Sequence, residues 1–183
     1  MKRLLLLALP LALAACTKPA EPTPPPADAT PAATAPATPA ATADASLLPK
    51  YHWRLSEATD AQGQRIAALF ARTEQPVQLD FRDGRVGVSN TCNRMGGTYT
   101  LAEGSLTAGR LVSTQMACAD SAVMALDQEV GKRLEGTLKT ATTAGETPAL
   151  TLTTATGDVL VFTGEPTAET RYGGPGERVF LEV

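Results

Sequence analysis

The stretch VSNTCNRMGGTY, residues 88–99, brings together a thiol (Cys92), two amides (Asn90, Asn93), a guanidinium (Arg94) and two glycines (Gly96, Gly97). Residues of these types could form a reactive centre, a metal site, or a bend between strands. A nucleophile needs a base within hydrogen-bond reach. Ser89, Ser113 and Thr114 are available, but the chain has a single histidine, His52, next to Trp53, and no Gly-x-Ser-x-Gly elbow. Structural zinc takes four Cys or His ligands, and two cysteines with one histidine fall short. A phosphate cradle needs a glycine spacing and a lysine that RMGG does not have. Carboxylates can pair as acid and base. Asp80, Asp83, Glu103, Asp120, Asp127 and Glu129, however, fall mostly in expected turns or on the polar face of an expected helix, where solvation accounts for them. The residues point away from an enzyme and imply no cofactor and no metal.

The other reading of the stretch is mechanical. Asn90 and Asn93 tolerate left-handed backbone and can bond their own main chain. Gly96 and Gly97 permit positive φ or a close backbone approach. Arg94 offers a rigid fork of donors that can tie carbonyls together or face a partner. The elements around it are mostly strands. YHWRLSEA alternates, with Trp53 and Leu55 on one face. VQLDF runs through Asp83-Gly84 into RVGVS, a strong hairpin signal. TYTLAEGSLTA repeats the device at Glu103-Gly104, and ALTLTTATGDVLVFTG does so around Gly157 and Asp158. RIAALFAR fits either a strand or a short helical piece. One segment has helical period: Val123, Leu126, Val130 and Leu134 form a stripe, Asp120 caps it, Lys132 and Arg133 suit its last turn and Gly136 its stop. The expectation is α+β: an antiparallel meander forming an incomplete β-barrel with one packed helix at about 121–135.

The ends carry different information. Lys2 and Arg3 precede the apolar run at residues 4–13, which is too short to span a bilayer and reads as a secretory signal over residues 1–15. LAAC, residues 13–16, resembles a bacterial lipobox, which makes Cys16 the lipidated first residue of the mature chain. Thr17, where an Asp would favour the inner membrane, leans towards the outer one. Residues 16–46 then form a Pro/Ala/Thr tether with eight prolines and almost nothing apolar larger than Ala, unable to offset its ordering entropy. Lipidation holds a protein to a membrane without spanning it. The net charge of −3 gives no reason to expect nucleic acid. With Cys16 in the anchor, Cys92 and Cys118 remain as an even pair in an oxidising compartment, where a disulfide is the default. No Cys-x-x-Cys spacing is present to make the pair redox-active.

Cys92, Asn93, Arg94, Gly96, Gly97 and Tyr99, followed by a hairpin, then Ser113, Thr114, Met116 and Cys118 and a helix, together resemble the pattern of the META domain, the HslJ-like family of heat-inducible bacterial envelope lipoproteins. Trp53 matches the aromatic that usually opens that domain; the resemblance covers roughly residues 51–166, and the domain is expected over residues 47–166. Thr91 departs from it, because many members have Gly before the Cys. The resemblance implies a small α+β fold, no known catalytic activity, and links to envelope, heat or antibiotic stress. It also implies likeness to pilot lipoproteins of secretion systems. The expected partners are the membrane, through the lipid, and a periplasmic protein or small apolar ligand. Residues 167–183 read as a loop and a strand, ERVFLEV, which is expected either to pair with the sheet or to start a second domain.

Overall fold

The structure is a computed structural model and is described for residues 43–173. Cys16, the signal, the tether to residue 42 and the ERVFLEV segment lie outside the described residues. Nine strands and two α-helices follow one another: β1 (Tyr51–Thr59), β2 (Gln78–Arg82), β3 (Arg85–Ser89), β4 (Met95–Ala102), β5 (Ser105–Ala108), β6 (Val112–Ser113), α1 (Ser121–Leu134), β7 (Gly136–Thr143), β8 (Ala149–Thr153), β9 (Val159–Pro166) and α2 (Ala168–Tyr172). The ambiguous RIAALFAR segment contains a 3-10 turn, Ala67–Phe70.

Alternation of burial along the strands sets their faces. Trp53 and Leu55 point inward, as do Leu79 and Phe81, Val86 and Val88, Leu150 and Leu152, and Leu160 and Phe162. The Trp53 indole is fully buried, and its N–H donates to the Leu48 carbonyl at 3.0 Å, so the polar end of the largest core side chain is paired. All three expected hairpins form, and two of them turn on consecutive left-handed residues, Asp83 and Gly84 at φ 51° and 70°, and Glu103 and Gly104 at φ 50° and 73°. That backbone twist matches the twist of the flanking strands.

The barrel is closed, not incomplete. The strand order is β3-β2-β1-β9-β8-β7-β5-β4, and β4 pairs back onto β3 through Arg85↔Thr98, Val86↔Gly97, Gly87↔Gly96 and Val88↔Met95. Closure is achieved by β4 bonding β3 along its first half and β5 along its second. β3 and β4 are joined by residues 90–94, which form no tight hairpin, so local turn chemistry does not announce this pairing. β6 adds a short pairing to the first half of β4, beside the point where β5 leaves it.

α1 forms as expected. The Asp120 carboxylate accepts from the backbone N–H of Ala122 and Val123, and Leu126, Val130 and Leu134 are buried against the barrel core. Arg133 does more than suit the helix end. It donates to Glu129 on its own helix at 2.6 Å and to Asp158 in the β8–β9 turn at 2.8 Å, with only 12% of its side chain exposed. The Glu129 carboxyl is held below its ordinary pKa by hydrogen bonds from Lys132 and then Arg133. A carboxylate depressed in the folded state stabilises above its unfolded pKa and loses that contribution as pH falls through the folded value. Glu129→Gln is therefore expected to cost about 1 kcal/mol at pH 7, and urea midpoints of variant and parent should converge in strong acid. Residues 168–172, expected as loop, form the short helix α2. Thr167 caps it by accepting from the Thr170 N–H, and the Thr170 hydroxyl donates to the Lys50 carbonyl. This cap is an ST turn hidden within TAET.

A groove beside the disulfide-anchored strap

Cys92 and Cys118 are joined as a disulfide, with Cα atoms 5.9 Å apart. It fastens the corner between β3 and β4 to the strap that runs from Gly109 to the start of α1. Left-handed backbone occurs at Asn90, φ 65°, whose side chain donates to the Pro76 carbonyl. Asn93 fastens the corner from inside. It is 6% exposed and has every polar atom of its amide engaged. Its Nδ2 donates to Asp127 Oδ2 at 2.7 Å and to the Met116 carbonyl at 3.1 Å. Its Oδ1 accepts from the Met116 N–H at 2.6 Å and the Thr114 hydroxyl at 2.9 Å. Its own N–H donates to Asp127 Oδ1. One residue thus joins the β3–β4 corner, the strap and α1.

Asp127 departs from the expectation of a solvated helix face: it lies four residues after Val123 and three before Val130, inside the apolar stripe. A carboxylate at such a position signals a buried donor waiting for it.

The remaining candidates divide. Arg94 ties nothing: its side chain is exposed and makes no hydrogen bond or ion pair among the described residues, although its carbonyl accepts from the Thr114 N–H at 3.1 Å. Gly96 and Gly97 serve close approach and not positive φ. A Cβ on Gly97 would lie 3.0 Å from the Arg110 carbonyl oxygen and 3.1 Å from a Leu111 methyl. Gly97→Ala is expected to push the strap outward and cost about 1–3 kcal/mol, seen as a lower thermal midpoint with faster amide exchange at residues 110–116. Tyr99 belongs to the barrel wall, edge-on to Phe81 at 5.0 Å, and burial raises its phenol pKa. Ser113 turns its hydroxyl to the Thr114 carbonyl. Met116 is 64% exposed and Val112 76%.

An open groove of about 880 Å³ beside the strap has Arg110, Leu111, Val112, Gln115, Met116 and Met124 in its lining. The Met124 sulfur lies 3.3 Å from Cys92 Sγ and accepts from the Cys118 N–H at 3.1 Å. His52 is elsewhere, on the outer barrel wall. Its Nδ1 meets Asp80 Oδ1 at 2.5 Å, and Gln78 donates to the other carboxylate oxygen. No hydroxyl or thiol is bonded to His52 among the described residues. Nor do these residues include a group of three His, Cys, Asp or Glu placed to hold a metal, or a helix long and apolar enough to cross a membrane.

A closed antiparallel barrel, plugged by one helix and carrying a disulfide-anchored strap, defines a small β-barrel module whose distinctive surface is the strap and its groove. The chain belongs to the META domain family, which matches residues 46–167. Its fold is similar to that of a protein from Burkholderia xenovorans solved by NMR, at 25% identity and TM-score 0.57, over 72% of this chain and 99% of that one. A second NMR structure matches at 24% identity and TM-score 0.48, over 66% of this chain and 95% of that one. A DUF4847 family protein from Bacteroides vulgatus matches at 10% identity and TM-score 0.42, over 67% and 97%. No curated protein gives a significant match.

Proposed function

We propose that this chain is a non-enzymatic lipoprotein of the cell envelope, held to the outer membrane by lipid on Cys16 and facing the periplasm. Its META domain acts in envelope, heat or antibiotic stress tolerance by binding another molecule. The observation that carries the binding role is the strap. Exposed Val112 and Met116 and the unengaged Arg110 lie on a segment otherwise fixed by a disulfide and by Asn93, with the unengaged Arg94 on the adjoining corner. A fixed segment loses little further entropy on binding. The barrel interior is filled by Trp53, Phe162 and buried leucines, which favours a protein partner at the outer groove over a small apolar ligand inside. An inhibitor of a periplasmic hydrolase, or a secretion-pilot-like module, is the more specific form of the same reading, favoured by the ordered strap beside Arg94.

Two measurements test it. Cys16→Ser should move the protein from the membrane to the soluble fraction of the envelope, and equal partition of variant and parent would remove the anchor. Affinity purification of the intact lipoprotein from envelopes, with mass spectrometry for proteins and lipids together, should recover a protein that Arg94→Ala releases. Recovery of lipid alone, equal in the two, would overturn the protein-binding role.

A further inference from the structure

The strap presents an unpaired strand edge. In β6, Met95 stands opposite Ser113 and Gly96 opposite Val112. The next hydrogen bond on the β4 side runs from the Thr114 N–H to the Arg94 carbonyl, and the Met116 N–H goes to Asn93 Oδ1. Antiparallel ladders alternate, so if Thr114 bonds towards β4, the N–H and C=O of Ser113 face away from it. The Gln115 N–H has no partner among the described residues either. On the far side β7 reaches only as far as Gly136, opposite Ala108. Beyond that point no strand among the described residues covers the edge, and residues 112–117 are all exposed.

Natural sheets blunt such edges with charge, proline or a covering element. Here residues 112–117, VSTQMA, contain no charge and no proline. The strap is also not frayed, because Asn93 and the disulfide hold it extended. The charge of the groove lining itself has one sign. The groove lining contains Arg110 and no acidic residue. The two acidic side chains bonded to this region, Asp127 and Glu135, already accept from Asn93 and from the Leu111 N–H. Arg94, alongside Thr114, and Arg110 are exposed and make no ion pair among the described residues.

We propose that residues 112–116 are a docking edge for an extended segment of a partner protein. That segment adds as a strand through the outward backbone groups of Ser113 and Gln115, sets apolar side chains against Val112 and Met116, and places a carboxylate at Arg94 or Arg110. Strand addition draws affinity from main-chain bonds and specificity from alternate side chains, and the flexible thioether of Met116 adapts to varied apolar contacts. This rests on the reading of the domain as a protein-binding module and specifies its site and the chemistry of its partner.

The test uses the full chain, oxidised and purified in detergent, against a displayed library of random dodecapeptides. Selected peptides are expected to alternate apolar residues with Asp or Glu. With such a peptide bound, amide exchange at Ser113 and Gln115 should slow at least tenfold. Thr114 and Met116, already bonded inward, should change little. Gln115→Pro, which removes an outward N–H and breaks no described bond, should weaken binding at least tenfold, as should Arg94→Glu combined with Arg110→Glu. A Gln115→Pro chain with its thermal midpoint intact and its peptide affinity unchanged overturns strand addition. Selected peptides that protect amides elsewhere overturn this site but leave a protein-binding role standing. Failure to select any peptide, with binding instead to phosphatidylglycerol vesicles, overturns the proposal in favour of a membrane-facing groove.

Discussion

Asn93→Asp is expected to destabilise the domain by about 3–5 kcal/mol at neutral pH, although it exchanges one NH2 for an oxygen. The Nδ2 of Asn93 donates to Asp127 Oδ2 and to the Met116 carbonyl. In the variant an acceptor faces two acceptors, and a second negative charge sits within hydrogen-bond distance of the first in a buried position. The new carboxyl would hold a proton more tightly folded than unfolded, so the penalty is largest above its folded pKa and shrinks as pH falls through it. Protonated, it can again donate to Asp127. Urea denaturation of parent and variant between neutrality and about pH 4 should show the gap closing with acid. A constant gap would mean that the charge pair does not dominate. Because the same amide also receives the Met116 N–H and the Thr114 hydroxyl, exchange along the strap should rise more than in the barrel.

Cys92→Ser is expected to cost about 3.5 kcal/mol, the chain-entropy value for a closed loop of this length. The sequence separation is 26. At roughly 3–4 °C per kcal/mol for a domain of this size, the thermal midpoint should fall by about 10–14 °C. Reductant should bring the parent down to the level of the variant and leave the variant unmoved. An unchanged midpoint under oxidising conditions would show that Asn93 and the helix contacts fix the corner without the covalent link. The two substitutions act on one corner, so their combined cost should be less than the sum.

The legible parts of this fold were those encoded locally. Asp83-Gly84 and Glu103-Gly104 announce their hairpins because both residues of each turn take positive φ. Asp120 and the Leu126, Val130, Leu134 stripe announce α1. The pairing of Cys92 with Cys118 followed from the counting of cysteines, with Cys16 assigned to the anchor. What depended on distant partners was not legible. Closure of the barrel rests on β3 meeting β4 across residues 90–94, whose two asparagines permit many paths. Of the two roles open to Arg94, tying the corner falls to Asn93 instead, since only the three-dimensional placement of Met116 and Asp127 tells which of two adjacent polar side chains points inward. VSTQMA has the composition of an ordinary strand, and nothing local shows that one of its edges is left bare.

The pairing of β1 with β9, Tyr51↔Pro166 to Thr59↔Val159, has a consequence for how the domain comes into being. The first and last strands of the barrel are neighbours, so the wall has a gap until the final strand has been made. Long-range pairing of this kind is slow to form, because the intervening chain must be ordered first. During synthesis the edges of β1 and β8 therefore stay open until residues 159–166 emerge. A chain truncated before Val159 should lack the wall that holds Trp53 in place, and should be prone to aggregation and degradation rather than partly active. The same adjacency brings Lys50 and Thr167 within one hydrogen bond of each other. A short linker between the two ends, with new termini opened at the Glu103-Gly104 turn, should give a circular permutant that folds.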